Sequence, residues 1–384
     1  MMEAKKDFKT LCVHEGELKD HRFKGVVSPI YMSSAYAFED IDIKRYPRYF
    51  NTPNQEALVQ KLAALEGGEA ALIFGSGMAA ISTALLSQLK QGDHVIFQND
   101  IYGGTRNFIK KEFPRLGIAF SFTEGLLEED FEKELQPNTK GIYLESPSNP
   151  LLKLVDLKAI ASLAQSKSVW TMIDNTFASP VNQNPIKLGV DIVVHSATKY
   201  LGGHSDITAG VVVSSQAIMD RVHASAINFG GSLSDMMVWM LERSIKTLAL
   251  RVAAQNENAL ALAQYLECHP LIQAVHYPGL TSHPDHTLAK EQMKGFGGML
   301  SFELSAKVAV SAFCRELTLV KAAMSLAGVE STLIVPRIAS HALLTEEERI
   351  EQGIGPSLIR FSCGIEAQED LRADIDQALL KAKQ

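Results

Sequence analysis

The chain has 384 residues, 46% hydrophobic and 21% charged, with a formal net charge of −7, the balance of a globular protein with room for two domains. No Lys/Arg block marks a nucleic-acid or anionic-membrane partner, no apolar run approaches the roughly 20 residues of a membrane span, and MMEAKKDFKT at the start is followed by no apolar segment of a secretory signal. The four cysteines (Cys12, Cys268, Cys314, Cys363) are scattered, share no metal-ligand spacing and read as reduced thiols, so a cytoplasmic protein without a metal centre is expected.

Residues 1–55 hold few periodic patterns. Val26 to Tyr36 and Tyr46 to Pro53 are rich in proline, serine and tyrosine, which predicts an extended arm with a neighbouring subunit to lie against. Gln55 to Glu66 carries a helical face (Ala57, Leu58, Leu62, Ala63, Leu65) stopped by Gly67-Gly68. There follow a short strand over 70–74, a Gly75-Ser76-Gly77 turn, an apolar helix over 78–89, a strand over 94–98 and a helix over 105–113. Further strands are expected over 118–122, 141–144, 169–173, 191–194 and 209–213, with a helix over 157–166. Strands alternating with helices predict a mostly parallel α/β sheet covered on both faces, in a domain spanning 56–249. One or two connecting helices are expected over 235–268. Strands over 272–277, 298–304 and 357–362 with helices over 308–316 and 369–381 then predict a smaller C-terminal α+β domain, 250–384.

The chemistry centres on two strand ends. The apolar run Asp191 to Val194 leads into His195-Ser196-Ala197-Thr198-Lys199, and the run before it ends at Asp174-Asn175-Thr176. A lysine just past one strand and an aspartate past another suit pyridoxal 5'-phosphate (PLP). The lysine would form the Schiff base, and the carboxylate would keep the pyridine nitrogen protonated. Ser196 and Thr198 are placed to reach a phosphate. The Gly75-Ser76-Gly77-Met78 turn before a helix is an anion site. Those letters also fit G-x-G-x-x-A with Asp100 ending the next strand, the pattern of an NAD(P)-dependent oxidoreductase, but that reading leaves Lys199 and Asp174 without a purpose. Tyr102, between a strand and Gly103-Gly104, can stack on a ring and assist proton transfer. Arg360, inside an apolar strand pattern, calls for a carboxylate partner, which an amino-acid substrate offers.

In these residues and the motifs around them, the chain resembles the Cys/Met-metabolism PLP-dependent enzymes, among them cystathionine γ-synthase, the cystathionine γ- and β-lyases, methionine γ-lyase and the O-acylhomoserine sulfhydrylases. The motifs are GSGMAAI (75–81), YGGT (102–105), ESPSNP (145–150), DNTFASP (174–180), HSATKYLGGHSD (195–206), GVES (328–331) and LIRFSCGIE (358–366). The resemblance implies a PLP fold-type I enzyme, a homotetramer whose subunits share active sites in pairs. It implies Lys199 as Schiff-base lysine and proton carrier, with Tyr102 stacked on the ring as its acid–base partner. Asp174 would meet the pyridine nitrogen, and Gly77, Met78, Ser196 and Thr198 would hold the phosphate. Tyr46 and Arg48 would reach the adjacent subunit's cofactor phosphate. Arg360, Ser331 and Asn149 would orient the substrate, and Glu330 would meet its distal amino group.

The implied reaction is elimination or replacement at Cγ of cystathionine or an O-acylhomoserine, with cystathionine β-lyase as the alternative. Gly104 stands where methionine γ-lyases carry cysteine, which speaks against that activity. Arg45, where the cystathionine enzymes usually carry an acid, the order Asn51-Thr52-Pro53, and Arg106, one place early, depart from the pattern and bear on the distal pocket. A PLP-binding regulator without turnover is disfavoured because the acid–base groups are all present.

Overall fold

The computed structural model describes residues 6–39, 43–340, 342 and 345–384. Met1 to Lys5, half of the stretch read as carrying no secretory signal, lie outside them. Seven strands make the larger sheet: β1 (Ala70–Phe74), β2 (His94–Phe97), β3 (Ala119–Phe122), β4 (Thr139–Glu145), β5 (Trp170–Asp174), β6 (Ile192–Ser196) and β7 (Gly210–Ser214). Their order is β1-β7-β6-β5-β4-β2-β3. The pairings from β6 through β3 are parallel, and β7 runs antiparallel to both β6 and β1. Strands such as His94–Phe97 and Gly210–Ser214 are buried at every position, as expected where helices cover both faces.

Side-chain caps fix the two helix starts nearest the first strand. Thr52 caps the helix Pro53–Glu66 in a full capping box with Gln55, and Gly67, at φ 79°, ends it. Ser76 caps the helix Gly77–Gln88, its Oγ accepting from the Ala79 amide at 3.1 Å.

The second sheet has the order β10-β11-β12-β9-β8, formed by β8 (Ile272–His276), β9 (Met299–Leu304), β10 (Lys321–Ala322), β11 (Thr332–Ile334) and β12 (Leu358–Ser362). It packs on the helix Gln368–Lys381 around Phe302, Phe313, Phe361 and Ile375. The two shortest strands, β10 and β11, have no counterpart among the expected elements, since two or three residues are too few for a periodic signal.

The expected boundary at 249/250 falls inside the helix Leu248–Glu267. Leu248 and Val252 belong to the large domain's core, whereas Leu262 and Leu266 belong to the small one, so one helix is shared. The arm differs as well. Phe8–His14 is a helix rather than extended chain, with Cys12 buried in the large core. The buried Lys61 ammonium donates to the carbonyls of Cys12 and Val13 at 2.9 and 3.2 Å, which anchors that helix's carboxyl end. Beyond it, Phe23, Val26, Met32 and Phe38 remain exposed.

Candidate active site

The carboxyl ends of β2, β4, β5 and β6 open into one cavity of about 450 Å³, closed from the other side by the small domain. That is where ligands bind in open parallel sheets. Of the residues singled out in the sequence, Gly77, Met78, Tyr102, Asn149, Asp174, Ser196, Thr198, Lys199 and Arg360 all line it.

The Lys199 ammonium donates to Ser325 Oγ at 2.9 Å. Burial, with the Arg360 charge nearby, lowers its pKa to about 8, so about a tenth is the free amine at pH 7, far more than for an ordinary lysine. Asp174 and Glu145 are register partners at the ends of β5 and β4, and both are buried. Burial raises the pKa of each, Glu145's well above the usual range. The Asp174 carboxylate accepts from the Thr176 amide at 3.0 Å, and Glu145 from the Tyr102 amide at 2.7 Å.

Arg360 is 5% exposed, and its hydrogen-bond partners are neutral: Asn149 Oδ1 and the Ser325 carbonyl, each at 3.1 Å. Its Nε has no partner among the described residues, and burial lowers its pKa to about 10. A buried guanidinium held only by neutral acceptors is poised for an anion.

Ser76, Gly77, Met78, Ser196 and Thr198 line the same cavity. Ser76 occupies the Ala79 amide, and no bond within the described residues takes up the Gly77 and Met78 amides. A Cβ on Gly77 would stand 2.8 Å from Ser196 Cβ, so only glycine lets the helix start lie against β6. The arrangement fits PLP. Lys199 offers an amine, and Asp174 a buried carboxylate with no ammonium or guanidinium bonded to it among the described residues. Between Gly77, Met78, Ser196 and Thr198 lies a cradle for a dianion.

Two expected substrate residues lie elsewhere. Ser331 is 1% exposed; its Oγ donates to Glu366 Oε2 at 2.8 Å and accepts from the Gly364 amide at 2.8 Å. Glu330 lines an adjoining cavity and accepts from Ser205 Oγ at 3.5 Å. The serine facing Lys199 is Ser325, and the side chain beside it in the wall is Met324. The physical reason is the loop before β11. Ser325 and Ala327 adopt positive φ, 104° and 64°, which turns Met324 to Leu326 into the cavity, while Ser331, the residue before β11, points into the small domain.

Sequence reasoning also passed over Glu145, Thr176 and Phe177, which line the cavity. The ESPSNP and DNTFASP motifs held the signal for them.

Tyr46 and Arg48 do not line the cavity of their own chain. Arg48 donates to the Ile227 carbonyl at 2.7 Å and lies over the Tyr46 and Tyr49 rings. Arg45 pairs with Glu56 at 2.7 Å. Arg106 donates to Asn99 and lies over the Phe122 ring at 4.1 Å. The dinucleotide reading fails at Asp100, whose carboxylate is buried and accepts from Ser148 Oγ at 2.6 Å and Gln98 Nε2 at 2.8 Å.

Comparison with known proteins gives the same picture. The family model for Cys/Met metabolism PLP-dependent enzymes matches residues 9–380. A cystathionine gamma-lyase of Bacillus subtilis (strain 168) is 45% identical, with 97% of this chain and 98% of that protein covered. A cystathionine beta-lyase of Lactococcus lactis subsp. cremoris (strain MG1363) is 43% identical over 97% and 99%. The crystal structure of a cystathionine gamma-lyase from Lactobacillus plantarum complexed with L-serine superposes with a TM-score of 0.95 at 39% identity, covering 98% of this chain and 99% of that one. The chain belongs to the Cys/Met metabolism PLP-dependent enzyme family.

Proposed function

We propose that this enzyme breaks or exchanges the bond from Cγ to sulfur or oxygen in cystathionine or an O-acylhomoserine. The observation that carries the reading is the pairing of Lys199, an amine with a pKa of about 8, with Arg360, a buried cation bonded only to neutral acceptors. Arg360 receives the substrate α-carboxylate, with Asn149 steadying the guanidinium. Lys199 Nζ takes the Cα proton, and Ser325 Oγ, its hydrogen-bond acceptor, sets the direction of the amine. Bound PLP supplies the electron sink for the charge that develops at Cα. Departure of a γ-substituent needs a second proton removed at Cβ, and Lys199 and Tyr102 are the acid–base groups lining the cavity for it.

Cystathionine β-lyase is the second reading. A relative of that name is 43% identical, and loss of a β-substituent needs only the first proton transfer. Product analysis decides between them. Cystathionine yields cysteine and 2-oxobutyrate by γ-cleavage, or homocysteine and pyruvate by β-cleavage. O-succinyl- or O-acetylhomoserine with cysteine yields cystathionine by γ-replacement. None of these products from a protein with a borohydride-reducible chromophore would overturn the reading.

The exposed apolar residues of the arm, and an Arg48 that does not reach its own cavity, support a homotetramer in which Tyr46 and Arg48 reach the neighbouring cofactor's phosphate. Arg48→Ala is expected to weaken PLP retention about tenfold, the loss of roughly one charged hydrogen bond. Unchanged retention by dialysis, or a monomer by light scattering, would count against it. We read the protein as cytoplasmic, consistent with four cysteines free of disulfides.

A further inference from the structure

Behind the cofactor cavity lies a buried ion pair that the reaction scheme leaves unused. Glu66 and His195 are 1% and 3% exposed, and His195 Nε2 lies 2.5 Å from Glu66 Oε1. The same oxygen accepts from Asn175 Nδ2 at 2.9 Å. These partners are not arbitrary: Asn175 directly follows Asp174, and His195 directly precedes Ser196. On the cavity side, Thr176 ties the same two strand ends together, donating its amide to Asp174 Oδ1 at 3.0 Å and accepting from the Ser196 amide at 2.8 Å. Gln183 extends the tie to the end of β4, bonding Asn175 Oδ1 at 2.9 Å and the Ser146 carbonyl at 2.8 Å.

This is a costly way to hold a sheet together. Glu66 Oε2 is buried with no hydrogen-bond partner among the described residues, and Glu66 ends its helix, where the helix dipole disfavours negative charge. A buried ion pair is in general no more stabilising than neutral groups of the same shape.

We propose that the Glu66–His195 pair is a positioning device for Asp174: it fixes the ends of β5 and β6 against each other and keeps the Asp174 carboxylate ionised toward the ring nitrogen of PLP. The proposal rests on Asp174 being the partner of that nitrogen. In support, burial raises the Asp174 pKa, the Thr176 hydrogen bonds oppose the rise, and His195 adds to that opposition. Glu66 and Asp174 are titratable groups that interact with His195, and its register partner on β7 is Val211, in a strand without titratable residues.

The test uses the holoenzyme and the variants Glu66→Gln, His195→Gln and, as benchmark, Asp174→Asn. The readouts are melting temperature, the pH midpoint of the Lys199-bound chromophore's absorbance, and kcat against KM. Glu66→Gln is expected to melt lower than wild type, because it removes one partner of a buried pair and leaves His195 without its carboxylate. Its absorbance midpoint is expected to move about one pH unit in the same direction as Asp174→Asn, with kcat about tenfold lower and KM unchanged. His195→Gln keeps a donor for Glu66 but not the charge, and is expected to reproduce the midpoint shift. If Glu66→Gln does not fold, His195→Gln decides. Folded variants that titrate and turn over as wild type, beside an Asp174→Asn that does not, overturn the proposal alone. An Asp174→Asn that also titrates as wild type overturns it together with the assigned role of Asp174.

Discussion

Lys199 Nζ donates to Ser325 Oγ at 2.9 Å, a bond between residues 126 positions apart that joins the large domain's strand end to a loop of the small domain. The Ser325 carbonyl accepts from Arg360 at 3.1 Å, so one residue sits between the proton carrier and the carboxylate grip. Its φ of 104° is strained for a non-glycine residue, a conformation that persists where surrounding contacts enforce it.

Ser325→Ala is therefore expected to lower kcat about tenfold while leaving the melting temperature close to wild type. Ser331→Ala is expected to do the reverse. It leaves Glu366 Oε2 without a donor and the Gly364 amide without an acceptor, costing about 1–3 kcal/mol of stability with kcat unchanged. Steady-state kinetics beside thermal melts of the two variants separate them. An active-site effect of Ser331→Ala with none from Ser325→Ala would reverse the assignment.

The Lys199 amine governs how the cofactor-free protein responds to pH. Its folded pKa of about 8 lies below the ordinary value of 10.5. The unfolded chain thus binds the proton more tightly, and the penalty of burying the ammonium is fully present below about pH 8. Stability of the cofactor-free protein is expected to rise from there toward about pH 10.5. Lys199→Met, without cofactor, is expected to melt higher than cofactor-free wild type at pH 7 and to lose that advantage by pH 10. Equal melting at both pH values would show that the amine is not desolvated.

Arg360→Lys keeps the charge but not the planar fork that can bond a carboxylate while holding Asn149 and Ser325. An about 100-fold fall in kcat/KM is expected, the scale of one to two charged hydrogen bonds. The measurement is kcat/KM for cystathionine. A loss below about threefold would mean that the α-carboxylate binds elsewhere.

Gly104 is constrained by its neighbour. A Cβ there would stand 2.5 Å from Tyr102 Cε1, so Gly104→Cys has to displace the Tyr102 ring. A changed absorbance spectrum of the bound cofactor and an about tenfold lower kcat are expected. A spectrum identical to wild type would show that the ring does not contact the cofactor.

By itself the sequence determined the alternation of strands and helices, and it marked strand-end residues that line the cavity: Asp174, Ser196, Thr198 and Lys199. Each follows an apolar run whose end is marked by a change to polar and small residues, so local pattern located them. Arg360 was legible for a related reason, as a charge inside an apolar strand. What only tertiary structure decided was which side chains on irregular segments turn toward that cluster. Ser325 and Ser331 are both serines in one short stretch, and no periodicity ranks them; the positive φ at Ser325 and Ala327 and the pairing of β11 with β12 do. Glu66 read as the last residue of an amphipathic helix, and its place behind Asp174 depends on how that helix packs against the ends of β5 and β6. Contacts between residues more than a hundred positions apart are set by packing of whole elements, and that packing leaves no local mark in the chain.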